Sequence, residues 1–252
     1  MGALGRRAPS PPVVSADPET VLVRVSDVVK NYQGLRPLRV RDLRVSRGQS
    51  VSLFGFDKTA SEVLVNLITG SSLPDSGTVH AFGRATTEIA DSTDWLELLQ
   101  RFGMFSDRTV LVEQLTVEQN MALAHTLEVD PLAEEVWREV REIAGTLGFA
   151  PDFLGKKVEG LNALDTALAR LGRAVALKPD VLLAEHPTAT LDGGERTVFA
   201  KAAAAVVARH GMAAIYVTAD YAFARAVGSD ALTVRPATGE LSPTSSWRRW
   251  LS

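Results

Sequence analysis

Residues 50 to 68 read Ser50-Val-Ser-Leu-Phe-Gly-Phe-Asp-Lys-Thr-Ala-Ser-Glu-Val-Leu-Val-Asn-Leu-Ile68, and their pattern is the strongest indication of the fold class. It begins with a short apolar run that ends at Gly55, which is typical of a buried strand followed by a turn. Apolar side chains then recur at helical spacing, at positions 63, 64, 67 and 68. The stretch therefore predicts a strand, a turn and a helix, the opening of a βαβ unit.

Further strand patterns lie on both sides of this stretch. Residues 21–26 alternate as a strand does, and residues 38–45 are the expected antiparallel companion in an edge layer. Strand-like runs return at residues 180–184, 213–218 and 231–234, with a helix over 195–210 between the first two. Strands that alternate with helices in this order predict an α/β protein with a mostly parallel sheet.

Residues from about 93 to 177 are richer in helical patterns, and the predicted helices span 95–101, 117–125, 131–147 and 161–177. This arrangement indicates a helical subdomain inserted into an α/β core. We therefore expect a disordered N-terminal tail over residues 1–20, one domain over 21–241 with its helical subdomain at about 93–177, and a C-terminal tail over 242–252.

The composition excludes several classes of function. The formal net charge is -3 and the positive residues are scattered, so we expect no nucleic-acid partner. The chain has no cysteine, which excludes disulfides, thiolate metal sites and cysteine nucleophiles. No apolar run reaches about 18 residues, so we expect any link to a membrane to run through a partner.

The order of several motifs along residues 21–241 resembles the ATP-binding subunit of ABC transporters. The stretch Gly55-Phe-Asp-Lys-Thr-Ala-Ser-Glu62 stands in the position of that family's P-loop, and Leu115-Thr-Val-Glu-Gln-Asn-Met121 is similar to the start of its helical subdomain. The stretch Lys178-Pro-Asp-Val-Leu-Leu-Ala-Glu-His-Pro-Thr-Ala-Thr-Leu-Asp192 resembles the family's Walker B strand followed by its D-loop. Smaller marks that fit are Tyr32, at the position of a base-stacking aromatic, Ile68-Thr-Gly70, Pro74-Asp-Ser-Gly-Thr78 and Gly83.

The resemblance implies a P-loop NTPase-like core with a mostly parallel sheet, an antiparallel β edge layer and an inserted helical subdomain. It also implies ATP and Mg²⁺ as cofactors. A generic Rossmann-like domain is the alternative interpretation of the same strand and helix order.

The P-loop position lacks the residues that hold a nucleotide. Such a loop needs bare backbone around the phosphates, a lysine on the β- and γ-phosphates and a hydroxyl on Mg²⁺. Reading G-x-x-x-x-G-K-[ST] from Gly55 places Ala60, Ser61 and Glu62 at the last three positions. A phosphate beside Glu62 meets repulsion of about 4 kcal/mol at 4 Å and intermediate dielectric. We expect Mg-ATP binding to be weak or absent.

The loop also contains Lys58 and Thr59. Lys58 lies three residues before the position of the P-loop lysine. Two interpretations stay open for it: a solvated loop lysine or a substitute phosphate clamp.

The Walker B region departs from the family in a milder way. Counting back from Pro187, Glu185 occupies the position of the metal-associated aspartate and His186 that of the glutamate that polarises the attacking water. Glu185 remains a candidate metal ligand. His186 is either a general base, because imidazole titrates near neutrality, or a histidine held by a hydrogen bond at the end of a buried strand.

The remaining family positions follow the same trend. Asp107 stands at the Q-loop glutamine and Ala219 at the switch histidine. The signature L-S-G-G-Q is replaced by Leu161, Asn162, Ala163, Leu164 and Asp165. The D-loop, which ends at Asp192, is intact. The altered signature has lost the glycines that permit close approach to ATP on an opposite subunit, and it adds a negative charge.

Three functions remain open. The first is a pseudo-ATPase with a structural or regulatory role, cytoplasmic and attached to the membrane through a transmembrane permease subunit and paired with another ABC ATP-binding subunit as a homo- or heterodimer. The second is a working ATPase that uses Glu185 for the metal and His186 as the base. The third is a soluble regulatory module that binds a protein or a different ligand in the vestigial cleft.

Overall fold

The computed structural model describes residues 20 to 244. Residues 1–19 of the expected N-terminal tail and residues 245–252 of the expected C-terminal tail lie outside that range. The last strand runs to Pro243, two residues beyond the domain boundary expected at 241.

The described part of the chain contains ten strands and eight helices, followed here in chain order. The strands are β1 Val21–Lys30, β2 Leu38–Ser46, β3 Ser50–Phe54, β4 Ser76–Ala81, β5 Arg84–Ala85, β6 Phe102–Phe105, β7 Val181–Glu185, β8 Ala213–Val217, β9 Asp230–Arg235 and β10 Glu240–Pro243. The helices are α1 Lys58–Ile68, α2 Ser92–Leu99, α3 Val117–Ala122, α4 Glu134–Leu147, α5 Pro151–Leu154, α6 Ala163–Val175, α7 Gly193–His210 and α8 Tyr221–Ala226, with a 3-10 turn at Thr86–Glu88. Within residues 20–244, every helix is too short or too polar to cross a bilayer.

The strands form two sheets. The first is antiparallel, in the order β2-β1-β4-β5, and it contains the two strands expected in an edge layer. The second has the order β10-β9-β3-β8-β7-β6, and all its neighbours are parallel except β9 and β10. The predicted α/β class with a mostly parallel sheet and an antiparallel layer is confirmed.

The parallel sheet divides the hydrophobic core in two. Every residue of β7 and β8 is buried, as expected for central strands that are covered on both faces. Leu182 and Tyr216 pack into one cluster with side chains of α3, α4, α6 and α7. Their neighbours Leu183 and Ile215 pack into the other cluster with β1, β2 and α1. Side chains therefore alternate between the two layers along each strand.

Strand β6 lies inside the region where the sequence predicted only helices. Its four residues, Phe-Gly-Met-Phe, pair in parallel with β7 at the edge of the sheet. A side chain at Gly103 would place its Cβ 2.4 Å from the carbonyl oxygen of Ala174, so helix α6 packs directly against this strand. Such a short apolar run cannot be assigned by periodicity. The strand matters for the site because Asp107 and Arg108 follow its end.

Candidate functional site

The carboxyl ends of β3, β6, β7 and β8 meet at one edge of the sheet because these strands are parallel. Gly55, Asp107, His186 and Ala219 follow these strand ends closely. In open α/β sheets, ligands bind outside this edge. We therefore take this edge as the candidate site.

Two residues at this edge have left-handed backbone conformations. Gly55 has φ +89°, and an added Cβ would lie 3.1 Å from Val234 Cγ1 and 3.2 Å from the Val234 carbonyl oxygen, so only glycine fits. His186 has φ +43°, which is uncommon for a residue with a side chain. Its backbone N–H donates to Val217 O at 2.7 Å. That hydrogen bond fixes the turn where β7 ends.

Helix α1 is capped by a carboxylate of its own chain. The N-cap residue is Asp57, whose Oδ1 accepts from the Ala60 N–H at 2.8 Å. The Asp57 carbonyl oxygen accepts from the Ser61 N–H at 2.9 Å. A helix N-terminus attracts anions through such N–H groups, and here Asp57 supplies the negative charge. Asp57 was not among the residues predicted from the sequence, although an aspartate just before a helical pattern is an N-cap signal.

Ser61 and His186 are bonded to each other. Ser61 is fully buried, and its Oγ lies 3.0 Å from His186 Nε2. The Ser61 hydroxyl donates its proton to Asp57 O at 2.7 Å, so the His186 Nε2–H is the donor in the Ser61–His186 bond. The two side chains thus join the start of α1 to the end of β7.

Arg108 bridges two carboxylates across the site. Its Nη1 lies 2.8 Å from Glu62 Oε1, and its Nη2 pairs with Glu185 Oε1. Glu185 is only 9% exposed, and burial raises the pKa of its carboxyl while Arg108 works in the opposite direction. Arg108 was not predicted from the sequence, because one arginine after an unrecognised strand carries no pattern of its own.

Lys58 and Asp107 form a second ion pair at the rim. Lys58 Nζ lies 2.6 Å from Asp107 Oδ2, and the side chains are 73% and 62% exposed. The hydrogen bond from Lys58 holds the pKa of Asp107 below its ordinary value, and the same bond raises the pKa of Lys58. Lys58 is therefore a solvent-exposed lysine whose charge is already paired. Thr59, beside it, is exposed.

The residues expected at the signature position begin helix α6. Asn162 is the N-cap: its Oδ1 accepts from the Asp165 N–H at 2.8 Å, and its Nδ2 donates to Asp165 Oδ2 at 3.2 Å. Leu164 packs against the larger core cluster. Asp192, at the end of the expected D-loop, is likewise the N-cap of α7 and forms a capping box with Glu195. These polar residues therefore have structural partners in their own chain.

Tyr32 and Ala219 lie apart from the charged cluster. Tyr32 lines a separate cavity of about 390 Å³ beside Gly55 and Asp57. Burial, with a smaller contribution from Asp57, raises the pKa of Tyr32. Ala219 lines another cavity, of about 310 Å³, together with His186. In the wall of that cavity Thr188 Oγ1 donates to Asp220 Oδ2 at 3.0 Å.

A cavity of about 630 Å³ brings together seven of the predicted site residues, drawn from separate parts of the chain. It lies between α1, the segment after β6, the segment after β7 and the start of α6. The residues that line it are Lys58, Glu62, Phe105, Asp107, Arg108, Leu161, Ala163, Thr166, Ala167, Arg170, Glu185, His186, Pro187, Ala189 and Thr190. Over residues 20–244, no group of three or more His, Cys, Asp or Glu side chains is arranged to hold a metal ion.

Comparisons with curated proteins find relatives named as import ATP-binding proteins. The chain is 27% identical over 184 residues to the methionine import ATP-binding protein MetN of Brucella abortus, covering 72% of this chain and 47% of that protein. It is 30% identical over 183 residues to the sulfate/thiosulfate import ATP-binding protein CysA of Synechococcus elongatus, covering 71% and 49%. The chain spans about half the length of these relatives.

The fold matches solved ATP-binding cassettes. A dimeric post-hydrolysis structure of the cassette MJ0796, bound to ADP and phosphate, superimposes with a TM-score of 0.71 at 19% identity, covering 88% of this chain and 98% of that one. A family model described as ABC transporter matches residues 38–189, more than half of the 252 residues. The sheet order, the helices and this match agree: the chain belongs to the ABC transporter family and has the fold of its ATP-binding cassette.

Proposed function

We propose that this chain is a nucleotide-binding-type subunit of a membrane transport complex that acts as a pseudo-ATPase. Its role is structural or regulatory. The observation that supports the proposal is the bridge from Arg108 to both Glu62 and Glu185, because these internal ion pairs use the side chains at the positions that the family resemblance assigns to Mg²⁺.

Mg-ATP does not fit the residues at the start of α1. A bound triphosphate needs a cation, a hydroxyl for Mg²⁺ and free backbone N–H groups. Here the Ala60 N–H is bonded to Asp57, and the buried Ser61 side chain is bonded to Asp57 and His186. A phosphate would have to displace the Asp57 carboxylate and compete with Glu62 for Arg108. Since both steps oppose binding, we expect little affinity for Mg-ATP.

The relatives and the fold support the proposed partners. MetN and CysA are named as import ATP-binding proteins, and the matching cassette MJ0796 is a dimer. We therefore propose a transmembrane permease subunit and a second ABC ATP-binding subunit as partners. We also propose that the chain lies on the cytoplasmic face of the membrane. The proposed membrane subunits would determine which substrate is transported.

Calorimetric titration of the purified chain with Mg-ATP tests this function. We expect no saturable heat up to millimolar nucleotide, while an intact cassette measured alongside provides the positive control. Micromolar affinity would contradict the proposal. The same titration in the presence of the copurified partners shows whether a second subunit creates a site that the single chain lacks.

The second candidate, a working ATPase with Glu185 and His186, has less support. His186 Nε2 is bonded to Ser61 and Glu185 is paired with Arg108, so both side chains already have partners in the chain at the atoms that a catalytic role would use first. Phosphate release by the wild-type chain and by His186→Ala, each with an intact partner, separates the two functions. Loss of a measurable activity in the variant would favour catalysis.

A further inference from the structure

The cavity of about 630 Å³ contains one cation that the ion pairs do not use. Glu62 and Glu185 are paired with Arg108, and Asp107 is paired with Lys58. Arg170, on α6, also lines the cavity, but it forms no ion pair with any residue in the range 20–244. The three carboxylates therefore have cationic partners, whereas Arg170 has none.

The position of Arg170 directs its guanidinium towards the cavity. Its Nε donates to the Thr109 carbonyl oxygen at 3.1 Å, and its Cζ lies 5.9 Å from the centre of the Phe105 ring. Among residues 20–244, its two Nη atoms have no hydrogen-bond partner. Burial lowers the pKa of Arg170, as expected where a nearby negative charge compensates it only in part. A guanidinium in this state presents two parallel donors, which is the geometry that a carboxylate accepts.

The other residues that line the cavity favour an anion with one negative charge and an apolar body. Apolar side chains of Phe105, Leu161, Ala167 and Pro187 also line the cavity, and the Phe105 ring lies next to Arg170. The same cavity is lined by three carboxylates, Glu62, Asp107 and Glu185, and by only two cations paired with them, so the excess negative charge disfavours a phosphate chain with several charges. A single negative charge needs only one cation, and an apolar body gains from contact with the wall. The volume is within the range of small-molecule sites.

We propose that this cavity binds a small organic monocarboxylate, with its carboxylate on Arg170 and its apolar body against Phe105 and Leu161. The site goes beyond the pseudo-ATPase function, because it requires neither ATP binding nor a partner subunit. It would make the altered cleft a receptor for a different class of ligand.

Titration of the purified chain by NMR tests the site with three monocarboxylates as probes: phenylacetate, 4-phenylbutyrate and octanoate. Phenylacetamide, the neutral analogue of phenylacetate, is the matched ligand control. We expect at least one carboxylate to bind and to shift signals of residues around the cavity. We expect the amide to bind at least tenfold more weakly. Failure of all three carboxylates to bind, or equal binding of acid and amide, would overturn the proposal.

A pair of variants on the same helix assigns the binding to Arg170. Arg170 and Arg173 both donate to carbonyl oxygens of the segment after β6, Thr109 O and Val110 O, but only Arg170 lines this cavity. We expect Arg170→Gln to weaken carboxylate binding at least tenfold, Arg170→Lys to retain part of it and Arg173→Gln to leave it unchanged. Equal losses in the two glutamine variants would refute the assignment. If Arg170→Gln does not fold, Arg170→Lys together with the acid-to-amide comparison on the wild-type chain decides the question.

The Mg-ATP titration is made separately on the same protein. Micromolar ATP affinity with intact carboxylate selectivity would reject the pseudo-ATPase function and keep the Arg170 site. If the chain binds neither ATP nor the carboxylates, the Arg170 site is rejected and the pseudo-ATPase function is kept.

Discussion

The Ser61 hydroxyl and the His186 imidazole lie 3.0 Å apart, and they join the first turn of α1 to the end of β7. By the resemblance described above, other members of the family have a phosphate-binding lysine at the position of Ser61 and a water-polarising glutamate at the position of His186. Here the two side chains bind each other. Two positions expected to act on a nucleotide therefore form a hydrogen bond that stabilises the fold.

Ser61→Ala should therefore destabilise the fold. The substitution removes two hydrogen bonds of a fully buried hydroxyl and leaves His186 Nε2 without its partner, which costs about 1–3 kcal/mol. Urea unfolding measures the difference. Thr59→Ala, in the same turn but exposed, is the matched control and should stay within about 0.5 kcal/mol of wild type. Equal effects of the two variants would show that the Ser61 contact contributes nothing.

Arg108→Gln should destabilise the fold in a pH-dependent way. Breaking a buried ion pair costs about 3–5 kcal/mol. Arg108 is 41% exposed, and solvent screening reduces the expected loss to about 1–3 kcal/mol at neutral pH. Without Arg108, burial raises the pKa of Glu185 further, so the native state binds the proton more tightly than the unfolded state. Stability then falls as the pH rises through the folded pKa of Glu185, and the penalty disappears below the unfolded value.

Unfolding of Arg108→Gln and wild type across the acid to neutral range checks the sign. The double variant Arg108→Gln with Glu185→Gln removes the titrating group, and we expect it to lose the extra pH dependence. A penalty that grows towards acid pH would contradict the pairing.

Lys58→Gln should change a titration more than it changes stability. Both members of the Lys58–Asp107 pair are exposed, so the pair is screened and salt-sensitive. The hydrogen bond from Lys58 lowers the pKa of Asp107, and its removal should move that pKa up towards the ordinary value of 3.8. Carboxyl NMR of the wild type and variant measures the shift. An unchanged Asp107 titration would mean that Lys58 does not hold the carboxylate in solution.

Asp165→Asn should not change the ATPase rate of a mixed dimer with an intact cassette. The Asp165 carboxylate accepts from the Asn162 side chain at the start of α6. In a mixed dimer, Asp165 would face ATP bound to the partner cassette, and its carboxylate would repel the phosphates. We therefore expect that ATP is not hydrolysed between the start of α6 and the partner. The rate should remain within about twofold of wild type. A clear fall in rate would show that the altered signature contributes to catalysis; the P-loop lysine variant of the partner gives the zero level.

The sequence predicted the fold better than it predicted the site. Strand β3 and helix α1 were assigned correctly because apolar runs and helical spacing are local signals. Strand β6 was missed because four residues carry no period. Arg108 was missed with it, and so Glu62 was treated as an isolated negative charge. The structure instead pairs Glu62 with an arginine 46 positions away, a relationship that only the tertiary fold creates.

Gly103→Ala and Gly145→Ala should have opposite effects on stability. A Cβ at Gly103 would lie 2.4 Å from the Ala174 carbonyl oxygen, so α6 would have to move away from β6, at a cost of about 1–3 kcal/mol. Gly145 lies within α4 with nothing near the added methyl group, and alanine there should stabilise the fold by about 0.5–1 kcal/mol. Thermal and urea unfolding of both variants measure whether the free energy of unfolding falls for Gly103→Ala and rises for Gly145→Ala. Because β6 leads into the segment that carries Asp107 and Arg108, Gly103→Ala should also perturb the NMR signals around the cavity, while Gly145→Ala should not. A neutral Gly103→Ala would mean that α6 and β6 are less closely packed than the structure shows, and that the walls of the cavity can move apart without loss of stability.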